Sequence, residues 1–157
     1  MLAPTSKPIK CNILKKDYIR IYIYGIMKTK VKEFNGKNID LDKLSNMIEQ
    51  YFQNEKFKTQ LGKHPNGTLI QATKEGLLRS IAGMDRAYSI TVSGTPDNVK
   101  ISLGMGKWLQ DLGVAAIESF LLAPELAFFE VPESLWSFEI EDKFWKYIEN
   151  QIDLGIQ

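Results

Sequence analysis

The chain has 157 residues, 44% of them hydrophobic and 25% charged, which suits one globular domain with a substantial core and excludes bulk disorder. A single cysteine, Cys11, and a single histidine, His64, exclude an internal disulfide framework and a zinc site of the usual ligand types. The net charge of +1 is unevenly spread: residues 1–107 hold 18 Lys and Arg against 9 acids, and residues 108–157 hold 2 against 10.

Residues 1–26 show no clear periodicity, and their one apolar run, Ile19 to Ile26, is interrupted by Arg20 and lacks a cleavage pattern after it. They read as a leader outside the core, with Met27 as a second possible start and 27–157 as a single domain. A strand is expected at Thr29–Phe34. From Asp40 to Phe52 the residues Leu41, Leu44, Met47, Ile48, Tyr51 and Phe52 recur at helical spacing. Asp40 stands at the N-cap, and Ile39 and Leu44 at the positions of a hydrophobic staple. Phe57, Thr59 and Leu61 then alternate with lysines and Gln60, the turn His64-Pro65-Asn66-Gly67 follows, and Thr68–Thr73 returns. Gly76–Gly83 fits a short helix or a strand. Tyr88, Ile90 and Val92, the turn Thr95-Pro96-Asp97-Asn98, and Val99, Ile101 and Leu103 form a second hairpin.

Beyond it the period changes. Trp108–Ala123 predicts an apolar helix ending at Pro124, and Ser137–Ile152 a second helix stopped by Gly155. The expected fold is therefore α+β: an antiparallel sheet of about 4–6 strands with helices packed on one face, in the order helix, two hairpins, C-terminal helices.

The stretch Leu69-Ile70-Gln71-Ala72-Thr73-Lys74-Glu75-Gly76-Leu77-Leu78-Arg79, then Arg86-Ala87 and Gly104-Met105-Gly106-Lys107-Trp108, resembles a group of uncharacterised small archaeal α+β proteins. The likeness covers roughly Phe34 to Trp108 and implies a fold neighbourhood without an activity.

Catalytic motifs fail at specific positions. Gly104-Met105-Gly106-Lys107 lacks the spacing and the Ser or Thr of a phosphate loop and the third glycine of a dinucleotide fingerprint, so its glycines are expected to turn the chain from strand into helix. Pro96-Asp97 and Glu141-Asp142-Lys143 imitate pieces of a metal-dependent nuclease, but the second piece falls in a helix. His64 reads as an exposed loop residue. No catalytic residue, metal ligand or cofactor is expected.

Two binding surfaces remain. Lys56, Lys58, Gln60, Gln71, Thr73, Ser89, Thr91, Ser93, Lys100 and Ser102 are expected on a wet sheet face, with Lys74, Arg79 and Arg86 around its edge. Such a face is either simply solvated or suited to phosphate oxygens; the nucleic-acid candidates are Lys56, Lys58, Lys74, Arg79, Arg86 and Lys100. The apolar helix is the other surface. Its small residues Gly113, Ala115 and Ala116 admit a neighbouring helix, and Trp108, Leu112, Ala116 and Phe120 are the expected interface of a homodimer or a partner protein. Asp111, Glu118 and Pro124 argue against a membrane span. The expectation is thus a cytoplasmic, non-catalytic binding or interaction module, with nucleic-acid binding and a metal-dependent nuclease as alternatives.

Overall fold

The computed structural model describes residues 18–23, 26–74, 86–132 and 136–156. Cys11, Arg79 and the ambiguous Gly76–Gly83 lie outside them. In chain order the elements are β1 (Tyr18–Ile23), β2 (Ile26–Asn35), α1 (Leu41–Asn54), β3 (Lys58–His64), β4 (Gly67–Thr73), β5 (Arg86–Thr95), β6 (Asn98–Lys107), α2 (Val114–Leu122), α3 (Pro124–Ala127), β7 (Phe128–Phe129), β8 (Val131–Pro132) and α4 (Phe138–Leu154). The strands form one antiparallel sheet in the order β1-β2-β6-β5-β4-β3, giving an α+β fold.

Both hairpins follow from alternation plus turn chemistry: Pro65-Asn66 joins β3 to β4, and Pro96-Asp97 joins β5 to β6. At Gly94, φ is +106° and a Cβ would stand 2.1 Å from the Asn98 carbonyl oxygen, so only glycine fits that corner. β1 pairs with β2 from Tyr18 opposite Lys32 to Ile23 opposite Ile26, and the expected boundary after residue 26 falls inside β2. β2 and β6 pair as far as Thr29 and Gly104, then part. Residues 128–132 fill the gap, β7 pairing with β6 and β8 with β2.

One face of the sheet carries the main core. Ile70, Ala72, Tyr88, Ile90, Val92, Val99, Ile101, Leu103 and Met105 project from the strands against Leu44, Ile48 and Phe52 of α1 and Phe144, Ile148 and Ile152 of α4. Burial of each large aliphatic side chain stabilises by roughly 1.5–3 kcal/mol. The two helices meet through aromatic rings: Tyr51 stacks on Tyr147 at 4.8 Å and Phe52 on Phe144 at 5.7 Å. Their ends are set as the residues suggest. Asp40 accepts the Lys43 N–H at 3.0 Å, Ser137 accepts the Ile140 N–H at 3.2 Å, and Gly155 ends α4 at φ +98°.

The charge asymmetry is resolved across this interface. Lys30 and Lys32 of β2 point toward α4 and pair with Glu141 and Glu149. Lys30 and Glu141 are both buried. The Lys30 ammonium also lies 5.8 Å from the Trp136 ring centre and 5.1 Å from that of Phe138.

The opposite face corrects the expectation of a wet surface. Gln71 and Ser89 are fully buried, and Thr73, Thr91 and Ser102 nearly so, because α2 and the segment before it roof them. The helix starts at Val114 rather than Trp108, with Gly113 as its N-cap residue. Glycines make room for it. A Cβ on Gly62 would lie 2.6 Å from the Ile117 side chain, and one on Gly106 would lie 2.6 Å from the Phe120 ring. Gly104 and Gly106 are therefore strand residues within β6, not the strand-to-helix turn expected of them. Leu69, Ile117, Phe120 and Phe128 form the small core of this side.

His64 is likewise not an exposed loop residue. It ends β3 on the roofed face with its side chain 5% exposed. Nδ1 accepts the Asn66 N–H at 2.9 Å, and Nε2 lies 3.6 Å from the Glu118 carboxylate.

The core also sets an alkaline limit. Burial pushes the Tyr88 phenol up to about 12, partly offset by a hydrogen bond with Ser137. Burial and the nearby Glu55 carboxylate do the same to Tyr51. Unfolded phenols ionise near pH 10. Between about pH 10 and 12 the unfolded state therefore binds fewer protons, and stability falls as pH rises. Denaturant midpoints should decline across that window, and more shallowly in Tyr88→Phe; an unaltered slope in the variant would show that another group titrates.

Candidate nucleic-acid interface

Antiparallel order brings the start of β3 and β5 and the end of β4 and β6 to one rim of the sheet. The pairings Lys58 with Thr73, Ala72 with Tyr88, and Arg86 with Lys107 fix this alignment. Continuing the β4–β5 register by two residues sets Lys74 beside Arg86. Lys74, Arg86 and Lys107 thus form a row across adjacent strands, on the face that also bears Tyr88 and Met105. Neighbouring strands lie about 4.8 Å apart, so the row spans roughly 10 Å. Lys58 sits at the same rim on the roofed face, and Lys56 precedes it, in the turn after α1, at φ +70°.

These five cations have no carboxylate partner among the described residues, whereas Lys30, Lys32, Lys63, Lys143 and Lys146 are all ion-paired. Three of the five rest on aromatic rings. The Lys58 ammonium lies 5.3 Å from the Trp108 ring centre, Lys74 4.3 Å from that of Phe57, and the Arg86 guanidinium 5.0 Å from that of Phe129. A ring face attracts a cation without neutralising it, so the positive charge stays available to an anion. Nε and Nη1 of Arg86 are buried and have no hydrogen-bond partner. That burial pulls the guanidinium below its ordinary value, although it remains a cation throughout the physiological range.

The expected binding set is therefore divided. Lys56, Lys58, Lys74 and Arg86 come together at the rim, joined by Lys107, which strand pairing reveals and residue periodicity does not. Lys100 stands at the other end of β6, roughly 23 Å from Lys107 at strand rise, opposite Ser93 and Glu33.

The expected interface set is also redistributed. Trp108 is half-buried at the rim under Lys58. Phe120 is buried against Gly106, and Leu112 packs over Gly62. Ala116 is half-buried. The large apolar residues that α2 and α3 leave outside are Val114, Leu122 and Leu126. No helix among the described residues is long and apolar enough to cross a membrane.

The pieces that imitate a nuclease are occupied separately. Asp97 lies in the β5–β6 turn, where its Oδ1 accepts the Asn38 N–H at 3.2 Å. Glu141 is buried beside Lys30, while Asp142 and Lys143 pair with Lys146 and Glu139 along α4. No family model, curated protein or solved structure matches this chain.

Proposed function

We propose that the protein is a cytoplasmic, non-catalytic binding module that holds a nucleic-acid strand by its phosphates on the rim formed by Lys56, Lys58, Lys74, Arg86 and Lys107. The observation that carries this reading is the gathering of five cations at one end of the sheet with no acid partner among the described residues. Phosphates met by Lys and Arg release counterions, so affinity should fall with added salt. For single strands the logarithmic slope is about −0.7 per phosphate neutralised, or roughly −3.5 if all five cations engage. Combining Lys74→Glu, Arg86→Glu and Lys107→Glu should abolish binding, whereas Lys100→Glu at the far end should leave it intact. Fluorescence anisotropy across a salt series measures both. Absence of binding at low salt to single strands and duplex alike would end the reading.

A second reading, a homodimer through the outer side of α2 and α3, is favoured by the exposure of Val114 at 60%, Leu122 at 61% and Leu126 at 82%. A two-fold pair would cover these residues with their own copies. Light scattering at micromolar concentration should then give a dimer that Leu126→Asp dissociates; a monomeric parent protein removes this reading.

A further inference from the structure

We propose that the outer edge of β3 is a self-association surface: two copies of the chain pair their β3 strands antiparallel about a two-fold axis at Leu61, joining the two sheets into one. β3 is the last strand on its side of the sheet, and no strand among the described residues pairs with its other edge. His64 and Gly67 flank a two-residue turn, so they exchange backbone hydrogen bonds with each other. Alternation carries this pattern to Gly62 with Leu69, Gln60 with Gln71 and Lys58 with Thr73. The N–H and C=O groups of Thr59, Leu61 and Lys63 therefore point away from β4, and no hydrogen bond among the described residues reaches them. Edge strands are ordinarily blunted by a bulge or a proline. β1, the other outer strand, has a register irregularity between Arg20 and Tyr22, whereas β3 keeps an unbroken register and contains no proline.

The strand's own charges name the occupant. Outward-facing residues must meet outward-facing residues, and the register that engages all three sets Leu61 opposite Leu61 and Lys63 opposite Thr59 of the other copy. Leu61 packs against the main core but is only partly buried, so two leucines at the axis cover each other. The Thr59 hydroxyl donates to the Glu49 carboxylate at 3.1 Å, which puts an acid beside the position that Lys63 of the other copy faces. Lys63 now pairs at 3.3 Å with Asp42, both side chains more than half exposed. Directly opposite residues lie about 5.5 Å apart, within reach of a lysine. On the roofed face Lys58 meets His64 of the other copy, which has Glu118 beside it. Lysines on an edge strand repel a copy when they stand opposite one another; in this register each meets a position with an acid next to it, and the two-fold makes each contact twice. With a net charge of +1, the copies do not repel as wholes. One short strand is a small interface, so the dimer is weak and depends on concentration. The contact stands apart from the outer side of α2 and α3 and does not depend on the phosphate-binding rim.

The test uses the full chain. Amide hydrogen exchange, read residue by residue at micromolar and at near-millimolar concentration, needs no substitution. Thr59, Leu61 and Lys63 should gain protection as concentration rises, whereas Gln60 and Gly62, bonded to β4, should be protected throughout. Sedimentation should show a monomer passing to a dimer over the same range. Lys63→Glu should weaken that dimer on the order of tenfold, since two contacts turn repulsive. Adding Glu49→Lys to it should restore the parent affinity, which a variant that had lost its fold could not do. A monomer at every concentration overturns the proposal. So does a dimer in which the three amides stay unprotected, and its dissociation by Leu126→Asp would assign it to the outer side of α2 and α3. Protection of the three amides that ignores concentration would mean that the chain covers its own edge, and sinks the proposal as well. A Lys63→Glu variant that dimerises as tightly as the parent rules out pairing about Leu61.

Discussion

Glu141→Ala should destabilise the protein by about 3–5 kcal/mol, the cost of leaving a buried charge without its partner. Lys30 is 2% exposed and Glu141 6%, so neither reaches solvent while the helix stays docked. Removing the carboxylate takes away the buried acid that faces this ammonium beside the rings of Trp136 and Phe138. It can then shed its proton, which for a lysine of ordinary pKa costs about 4.6 kcal/mol at pH 7. Undocking of α4 from β2 offers another escape, at the expense of Phe144, Ile148 and Ile152. The double variant Lys30→Met, Glu141→Leu should recover most of the loss, since an apolar pair of similar volume often replaces a buried ion pair without penalty. Urea midpoints of the two variants decide it. A single variant within 1 kcal/mol of the parent, roughly the worth of a surface pair, would show that water reaches Lys30.

This pair shows how far residue patterns reach. Alternation places Lys30 and Lys32 on the face of β2 that Phe34 shares, and helical spacing makes α4 amphipathic. Neither pattern says that the acids of α4 land on those lysines, because the contact joins residues 117 positions apart for Lys32 and Glu149. The elements themselves were legible where local chemistry agreed with periodicity. Asp40 and Ser137 at caps, Gly155 at a helix end, and the prolines at positions 65 and 96 in turns each reinforce a hydrophobic repeat. The rim was half legible. Lys74 and Arg86 declare themselves as cations beside strands, but the place of Lys107 depends on how β6 registers with β5.

The roofed face was misread for a physical reason. Alternation tells which residues share a side of a strand; it does not tell whether that side is wet. Gln, Ser and Thr can satisfy one another and then tolerate burial at little cost. One signal was present. Gly62, Gly104 and Gly106 share a face with Gln60, Gln71 and Ser102, and glycines there weaken a strand unless another segment approaches closely. Trp108–Gly113 also passed for helix on composition alone, although both backbone polar groups of Leu109 bond to glutamines of the sheet.

Gln71→Leu should cost about 2–5 kcal/mol, because Gln71 ties that segment to the sheet with its full hydrogen-bonding capacity. Its amide nitrogen donates to Ser89 Oγ at 2.9 Å and to the Lys107 carbonyl at 2.7 Å. Its oxygen accepts the Leu109 N–H at 3.0 Å and Gln60 Nε2 at 2.9 Å. Two donors and two acceptors exhaust a glutamine, and the partners fix which way the amide faces. Gln60 completes the clasp by donating to the Leu109 carbonyl at 2.9 Å. With both polar groups of Leu109 bound to side chains of the sheet, the chain cannot begin a helix at Trp108, and α2 waits for Gly113. Leucine fills similar volume but leaves the Leu109 N–H and the Lys107 carbonyl without these partners under the roof, at roughly 1–3 kcal/mol for each buried group left unsatisfied. The loss should be local before it is global. In the parent protein the Leu109 amide should exchange with solvent slowly; in Gln71→Leu it should exchange far faster, while amides at the centre of β5 slow or speed only with overall stability. Equal protection of Leu109 in both proteins would mean that α2 holds the segment down unaided, through Ile117 against Gly62 and Phe120 against Gly106.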